Sequence, residues 1–254
     1  MNPRTLKARE ERLGMTNCNN QGESMEIIEY NSNCDITIKF ANGTIVYNKS
    51  FCNFIKGKVF NPFFRKVYGV GYLGMGKHTS QQKKKHTFWA NMLSRCYLEK
   101  RHKHNPTYKN CSVCEEWHNF QNFGDWYDEN HYEIPGEKMC LDKDILQKGN
   151  KLYSPETCVF VPKSINNLVV NRVNDRGDCL VGVYYKKDRN KYVARISKNG
   201  KTHVIGSFGN EYDAFLAYKR EKEAHIKQVA DKYQIWIPQK LYDAMYRWEI
   251  HETD

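Results

Sequence analysis

Two aspartates on either side of a lysine are the residues in this chain whose types and spacing best suit chemistry on a charged substrate. Asp142, Lys143 and Asp144 follow the apolar residues 139–141, and Asn150 lies in the polar loop that comes next. Carboxylates are hard oxygen donors of the kind that Mg²⁺ prefers. The sequence therefore offers a candidate metal site at the end of a short apolar segment.

The stretch 139–167 must position these residues. It runs from an apolar segment into the acids, then through a polar Gly-Asn loop and a second apolar segment to a polar helix start. Short apolar runs bounded by turn residues are typical of strands, and a polar start before further apolar residues is typical of a helix. The sequence therefore predicts a ββα unit, in which a hairpin of two strands is followed by a helix.

The other patterns predict an α+β chain made of small domains. Alternation of Ile36, Ile38 and Phe40 indicates a strand, and Asn42 and Gly43 indicate a hairpin turn. Apolar residues at helical spacing in 87–97 and an aromatic stripe in 117–127 predict helices whose faces pack in the core. We predict four segments: a polar arm at 1–24 ending in a linker at 17–24, a small β module at 25–75, a central domain with the ββα unit at 76–174, and a C-terminal domain of three strands and a helix at 178–254.

Composition indicates a polyanionic partner. The formal net charge is +11 and the sequence pI is about 9.1, whereas no apolar run is long enough for a membrane span. The N-terminal residues lack the apolar core of a signal peptide, so we expect a cytoplasmic protein with reduced cysteines. The Gly-rich segment 69–77 lacks the context of a phosphate-binding Walker loop, because His78 follows Lys77.

Four of the nine cysteines raise the question of a zinc site. Cys111 and Cys114 form one C-x-x-C pair, but Cys140 and Cys158 do not form a second close pair. A single such pair is a weak zinc signal. We therefore favour thiols packed in the core over a zinc site.

The C-terminal sheet carries the strongest charge asymmetry. Between positions 181 and 203 there are seven Lys or Arg residues and one acid, Asp188, whereas the helix at 211–232 has equal numbers of acidic and basic residues. If Ala194 and Ile196 pack on that helix, Arg195 and Ser197 face outward, because strand side chains alternate. A basic three-stranded sheet suits the major groove of duplex DNA.

Residues 182–226 resemble the Apetala-type (ethylene-response-factor) DNA-binding domain in its phage and bacterial form. The resemblance rests on Gly182-Val183, on KYVARI at 191–196, on IGSF at 205–208 and on EYDAFLAY at 211–218. It implies outward contacts at Tyr184, Lys186, Arg195, Ser197, Thr202 and Val204. Together with the charge pattern, it gives the predicted DNA-binding set Tyr184, Lys186, Lys187, Arg189, Lys191, Arg195, Ser197, Lys201 and Thr202.

Residues 87–171 resemble a phage HNH-type, homing-like endonuclease family. The matching motifs are WANMLSRCY at 89–97, EEWHNFQNF at 115–123, LDKDI at 141–145 and GNKLYSPETC at 149–158. The resemblance implies a histidine general base and a divalent metal that stabilises the phosphoryl transition state. It assigns Asp142, Lys143 and Asn150 to the catalytic centre, with Mg²⁺ held by Asp142, Asp144 and Asn166.

The chain departs from that family at one position. Lys143 follows Asp142 where the family has its general base, and lysine keeps its proton at neutral pH unless it is strongly desolvated. Lys143 could instead grip a phosphate. The sequence therefore predicts a double-stranded DNA-binding protein of phage or prophage type, acting in the bacterial host cell. Two activities stay open. One is metal-dependent cleavage by an HNH-like endonuclease, and the other is regulation or anti-defence by a catalytically inactive HNH-like protein. A third interpretation is a structural protein that binds another protein.

Overall fold

A computed structural model describes residues 3–169, 178–198 and 200–254, and its mixed helices and strands confirm the α+β class. The chain forms two compact units, which we describe separately. The first contains residues 1–109 and 113–126, and the second contains 110–112 and 127–254. The finer division into four segments stays a prediction, and the boundary predicted between 174 and 178 lies mostly outside the described residues.

The first unit begins with an antiparallel β module. Its elements are α1 (Pro3–Arg12), β1 (Thr16–Cys18), β2 (Ser24–Ser32), β3 (Asp35–Phe40), β4 (Ile45–Lys49) and α2 (Phe51–Ile55), with the strands paired in chain order. Ile36, Ile38 and Phe40 are buried, so the predicted alternation is confirmed. The predicted turn is also confirmed, since Gly43 has a φ of +87° and its N–H donates to the carbonyl of Phe40. The linker prediction is wrong at β1, which pairs with the start of β2.

Aromatic side chains form the interior of the rest of the first unit. Its helices are α3 (Lys83–Tyr97), α4 (Glu99–His104) and the start of α5 (Phe120–Asn130). Trp89, Trp117, Phe120 and Phe123 are completely buried. The ring centroids of Trp89 and Phe120 lie 5.1 Å apart, and those of Trp117 and Phe123 lie 5.2 Å apart. The predicted aromatic faces are therefore packing faces, which contribute about 0.5–1.5 kcal/mol per ring pair beyond area burial.

Packing explains the glycines of the 69–77 segment. A Cβ on Gly74 would lie 2.2 Å from the side chain of Asn119, and one on Gly76 would lie 2.3 Å from that of Gln121. The Gln121 amide also donates to the carbonyls of Leu73 and His78. These glycines let the segment lie close to polar side chains of the same unit.

The second unit contains the predicted ββα arrangement. Its first elements are β5 (Ser112–Val113, at the unit boundary), β6 (Met139–Asp142), β7 (Leu152–Tyr153), β8 (Val159–Pro162) and α6 (Lys163–Val169). Strands β6 and β8 are antiparallel, with Met139 opposite Pro162 and Asp142 opposite Val159, and α6 follows β8 directly. The predicted order of two strands and a helix is confirmed.

The C-terminal elements of this unit are a three-stranded sheet and two helices. They are β9 (Val183–Lys186), β10 (Lys191–Lys198), β11 (Lys201–Phe208), α7 (Glu211–Tyr233) and α8 (Gln239–Tyr246), with β10 between β9 and β11. The side chain of Asn210 caps α7 by accepting from the N–H of Asp213. One hydrophobic core joins this domain to the ββα arrangement, since Val161 and Ile165 cluster with Ile196, Phe215 and Leu241.

Candidate nucleic-acid interface and candidate metal site

The middle strand of the C-terminal sheet has one buried face and one face that is exposed at Arg195 and Ser197 but covered at Val193. Ala194 and Ile196 are buried against α7, whereas Arg195 and Ser197 are exposed. The alternation predicted from the sequence is therefore confirmed. A β-bulge between Ala194 and Arg195 shifts the pairing with β11, and the N–H of Arg195 donates to the carbonyl of Gly182 at 2.9 Å.

Strand register places the predicted contact residues on the same face as Arg195. Tyr184 lies opposite Val193, Arg195 opposite Val204, and Ser197 opposite Thr202. Val204, Ser197 and Thr202 are exposed, and Tyr184 is half-buried. We call this set the outward row; it consists of Tyr184, Lys186, Arg195, Ser197, Thr202 and Val204.

Arg195 is held over an aromatic ring and leaves its donors available. Its guanidinium carbon lies 5.0 Å from the ring centroid of Tyr184, which is a cation–π distance. Among the residues that the structure describes, no carboxylate pairs with Arg195. A planar guanidinium fixed in this way presents several N–H groups to solvent in a set orientation.

Not every cation of the sheet is equally available. Lys198 pairs with Glu221 of α7, so its charge is neutralised from below the sheet. Lys186 and Arg189 both lie within 4.0 Å of Asp188, in exposed pairs that are worth little. The exposed cations Lys187, Lys191, Arg195 and Lys201 have no carboxylate partner among the described residues. The positive field of the sheet therefore comes mainly from these four side chains.

Helix α7 contains a charged residue that sequence reasoning missed. Lys222 lies four residues after Tyr218 and four before Ile226, both of which are buried on the core side of the helix. Burial lowers the pKa of Lys222 to about 8. Its spacing of four residues from both Tyr218 and Ile226 was the signal that could have placed Lys222 on the core side of the helix.

At the end of β6, the side chain of Asp142 accepts hydrogen bonds from the backbone of the loop that follows it. Its Oδ1 accepts the N–H of Asp144 at 3.0 Å and the N–H of Ile145 at 2.8 Å. Burial and the neighbouring carboxylate of Asp144 raise the pKa of Asp142 to about 6. The side chain is thus a turn-forming acceptor with an unfavourable charge at neutral pH.

Lys143 is buried within the same loop. Its Nζ donates to Asp144 Oδ2 at 3.1 Å and to the carbonyl of Asn150 at 2.7 Å, and only 5% of the residue is exposed. The amide of Asn150 donates in turn to the carbonyls of Lys143 and Leu152, both at 2.7 Å. Asn150 therefore orients the loop. The placement of Lys143 weighs against both roles considered for it, because neither a general base nor a phosphate-binding cation can act from this position.

The predicted Mg²⁺ ligands do not form a complete donor set. Asp142 and Asp144 lie together, but Asp144 is paired with Lys143, and Asn166 lies on α6 as a half-buried amide. Within the described ranges, no group of three or more His, Cys, Asp or Glu side chains could hold a metal ion. Mg²⁺ is usually held by one or two carboxylates and several waters. Both carboxylates are engaged here, Asp142 by the N–H groups of Asp144 and Ile145 and Asp144 by Lys143, so the residues as arranged do not fit it. No disulfide links the cysteines considered for zinc.

A chain of polar contacts around the buried side chains of His78 and Lys85 in the first unit was also missed. The Nε2 of His78 lies 3.1 Å from Asp125 Oδ1, and its Nδ1 lies 3.0 Å from the Nζ of Lys85. Lys77 also pairs with Asp125, at 2.8 Å. His78 and Asp125 are separated by 47 positions, so no local pattern could have indicated the contact.

Compared with protein-family models, with curated proteins and with solved structures, the chain matches none. The described helices include none with the length and apolar character that a membrane span requires. The two resemblances drawn from the sequence therefore stay predictions, and the case for function depends on the geometry of the outward row and of the β6–β8 loop.

Proposed function

We propose that this protein binds double-stranded DNA through the outward row of β9, β10 and β11. The observation that carries the proposal is Arg195, an exposed arginine held on the ring of Tyr184 with no acidic partner among the described residues. Lys187, Lys191 and Lys201 of the same segment are exposed and have no carboxylate partner among the described residues. The net charge of +11 adds long-range attraction to a polyanion.

The dimensions of the sheet support a duplex as the partner. Neighbouring strands lie about 4.8 Å apart, so three strands span roughly 10 Å between the outer backbones. The major groove of B-DNA is about 12 Å wide and admits a β-ribbon. The resemblance to the Apetala-type domain likewise implies that this face of the sheet binds duplex DNA.

Each side chain of the outward row has a role that its chemistry suits. Arg195 can donate to guanine or to a phosphate, and the hydroxyls of Ser197 and Thr202 can bond to the DNA backbone. Tyr184 fixes Arg195 and can contact sugar. Lys187, Lys191 and Lys201 supply phosphate contacts at the rim. Val204 offers an apolar contact of the kind that a thymine methyl group accepts.

Metal-dependent cleavage is the second candidate function, and the ββα order of β6, β8 and α6 favours it. The burial of Lys143 and the incomplete donor set around Asp142 weigh against it. We therefore propose a DNA-binding protein with a regulatory or anti-defence role, in which the ββα arrangement serves as a scaffold. The endonuclease is the alternative.

One experiment tests the proposal and separates the two functions. We expect the protein to shift a duplex in a gel and to leave supercoiled plasmid intact with Mg²⁺ or Mn²⁺. With four to six phosphate contacts, log Kd should change with log salt concentration with a slope of magnitude about 4 to 5. Fluorescence anisotropy over a salt series measures the slope. Absence of binding at low salt would refute the DNA-binding proposal, and metal-dependent nicking would favour the endonuclease.

A further inference from the structure

The loop between β6 and β8 encloses its own positive charge. The Nζ of Lys143 donates to the carboxylate of Asp144 and to the carbonyl of Asn150, and it lies 5.9 Å from the ring centroid of Tyr153. Its side chain is only 6% exposed. The ammonium thus contacts two oxygen atoms and lies beside an aromatic ring, all of which are suited to a cation.

The oxygen atoms around Lys143 are of the types that bind divalent cations in protein loops. Carboxylates and backbone carbonyls are the usual ligands of Ca²⁺, and Mn²⁺ also takes oxygen donors. Asp144 and Asn150 supply one of each. The loop closes on the ammonium because Asn150 also bonds to Lys143 and Leu152 through its amide, and Asp142 fixes the backbone at Asp144.

We propose that the ammonium of Lys143 is a built-in substitute for a divalent cation in the β6–β8 loop, so that the loop folds without metal. The ammonium bridges the Asp144 carboxylate and the Asn150 carbonyl, which lie six residues apart in the chain. The substitution of an internal cation for a metal also explains why the donor set around Asp142 is incomplete. This inference goes beyond DNA binding and does not depend on it.

Removing the ammonium should expose a cation site. In Lys143→Ala, the carboxylate of Asp144 and the carbonyl of Asn150 lose their shared donor and face a small space that water and a metal ion can enter. In Lys143→Met, the unbranched apolar side chain fills that space and donates nothing. In Lys143→Ala combined with Asp144→Asn, the space remains but the anionic ligand is gone.

The test uses the full chain with Mn²⁺ as the probe. We expect Mn²⁺ to leave the Tm of the wild type unchanged, to raise the lowered Tm of Lys143→Ala, and to raise neither that of Lys143→Met nor that of the double variant. The electron paramagnetic resonance signal of aqueous Mn²⁺ should report about one bound ion per chain in Lys143→Ala alone. EDTA should not change the Tm of the wild type.

Two results would overturn the proposal. One is stabilisation of the wild type by Mn²⁺ comparable to that of Lys143→Ala, which would mean that a metal site exists beside the lysine. The other is no rescue of Lys143→Ala by Mn²⁺. If this variant does not fold alone, recovery of folded protein during refolding with Mn²⁺ supports the proposal, and recovery in neither condition contradicts it. We expect a folded Lys143 variant to bind duplex DNA with unchanged affinity, because the metal test and the DNA-binding proposal concern different sites.

Discussion

Replacing Arg195 with alanine is expected to weaken duplex binding by about 10- to 100-fold, which corresponds to the roughly 1–3 kcal/mol that a good arginine–base contact contributes. Arg195 is exposed and is held by Tyr184 rather than by an acid, so its loss removes donors from the interface without leaving a buried charge. The slope of log Kd against log salt should also fall by about 1 in magnitude if the contact is to a phosphate. Fluorescence anisotropy with a short duplex measures both quantities.

The structure offers a matched control for this substitution. Arg220 is an exposed arginine on α7, and its replacement by alanine removes the same charge from outside the outward row. Arg195→Lys keeps the charge but loses the planar fork, so partial recovery with this variant would indicate a phosphate contact and no recovery a base contact. Equal weakening by Arg195→Ala and Arg220→Ala would mean that net charge alone determines affinity.

The second large effect is expected at Asp142, where two substitutions that remove the same charge should differ in stability. Asp142→Asn keeps an oxygen for the N–H groups of Asp144 and Ile145 but removes the charge, so it should stabilise the fold at pH 7 by roughly 1–3 kcal/mol. Asp142→Ala removes the same charge but leaves both N–H groups without this acceptor, at about 1–3 kcal/mol each, so it should be less stable than Asp142→Asn by roughly 2–6 kcal/mol. Urea unfolding measures both free energies.

The pH dependence of this pair follows from the raised pKa of Asp142. In the folded chain this pKa is about 6, above the ordinary value of an aspartate, so the folded state holds the proton more tightly than the unfolded state. The wild type should therefore lose stability relative to Asp142→Asn as pH rises from about 4 to about 6, with a constant difference above that window. A metal-ligand role for Asp142 predicts instead that Asp142→Asn loses stabilisation by Mg²⁺. A flat difference across the window would show that the Asp142 charge carries no cost.

Patterns with a short period were the part of the structure that the sequence could predict. Alternation of Ala194, Arg195, Ile196 and Ser197 identified the two faces of β10, because successive strand side chains point to opposite sides. Apolar segments separated by a polar Gly-Asn loop identified the order of β6, β8 and α6. Both predictions depend on residues close together in the chain, where local geometry leaves few alternatives.

Contacts that depend on how the chain folds back on itself were not predictable. The position of Lys143 between two aspartates suggested a site open to substrate, but its ammonium turns inward to the carbonyl of Asn150, which only the folded loop brings within 2.7 Å. Lys198 is one of the seven Lys and Arg residues of the basic sheet segment, but its charge is neutralised by Glu221 on α7. Strand β1 is polar and short, and it forms because β2 offers it an edge to pair with.

The central claim is that the outward row and its rim form the DNA-binding face, and lysine footprinting tests it most directly. Acetylation of the native protein with and without duplex, followed by mass spectrometry, measures the reactivity of each lysine. Binding through β9–β11 predicts that duplex protects Lys186, Lys187, Lys191 and Lys201, while the exposed Lys227 of α7 keeps its reactivity. Protection of Lys227 with no protection of the four sheet lysines would contradict it.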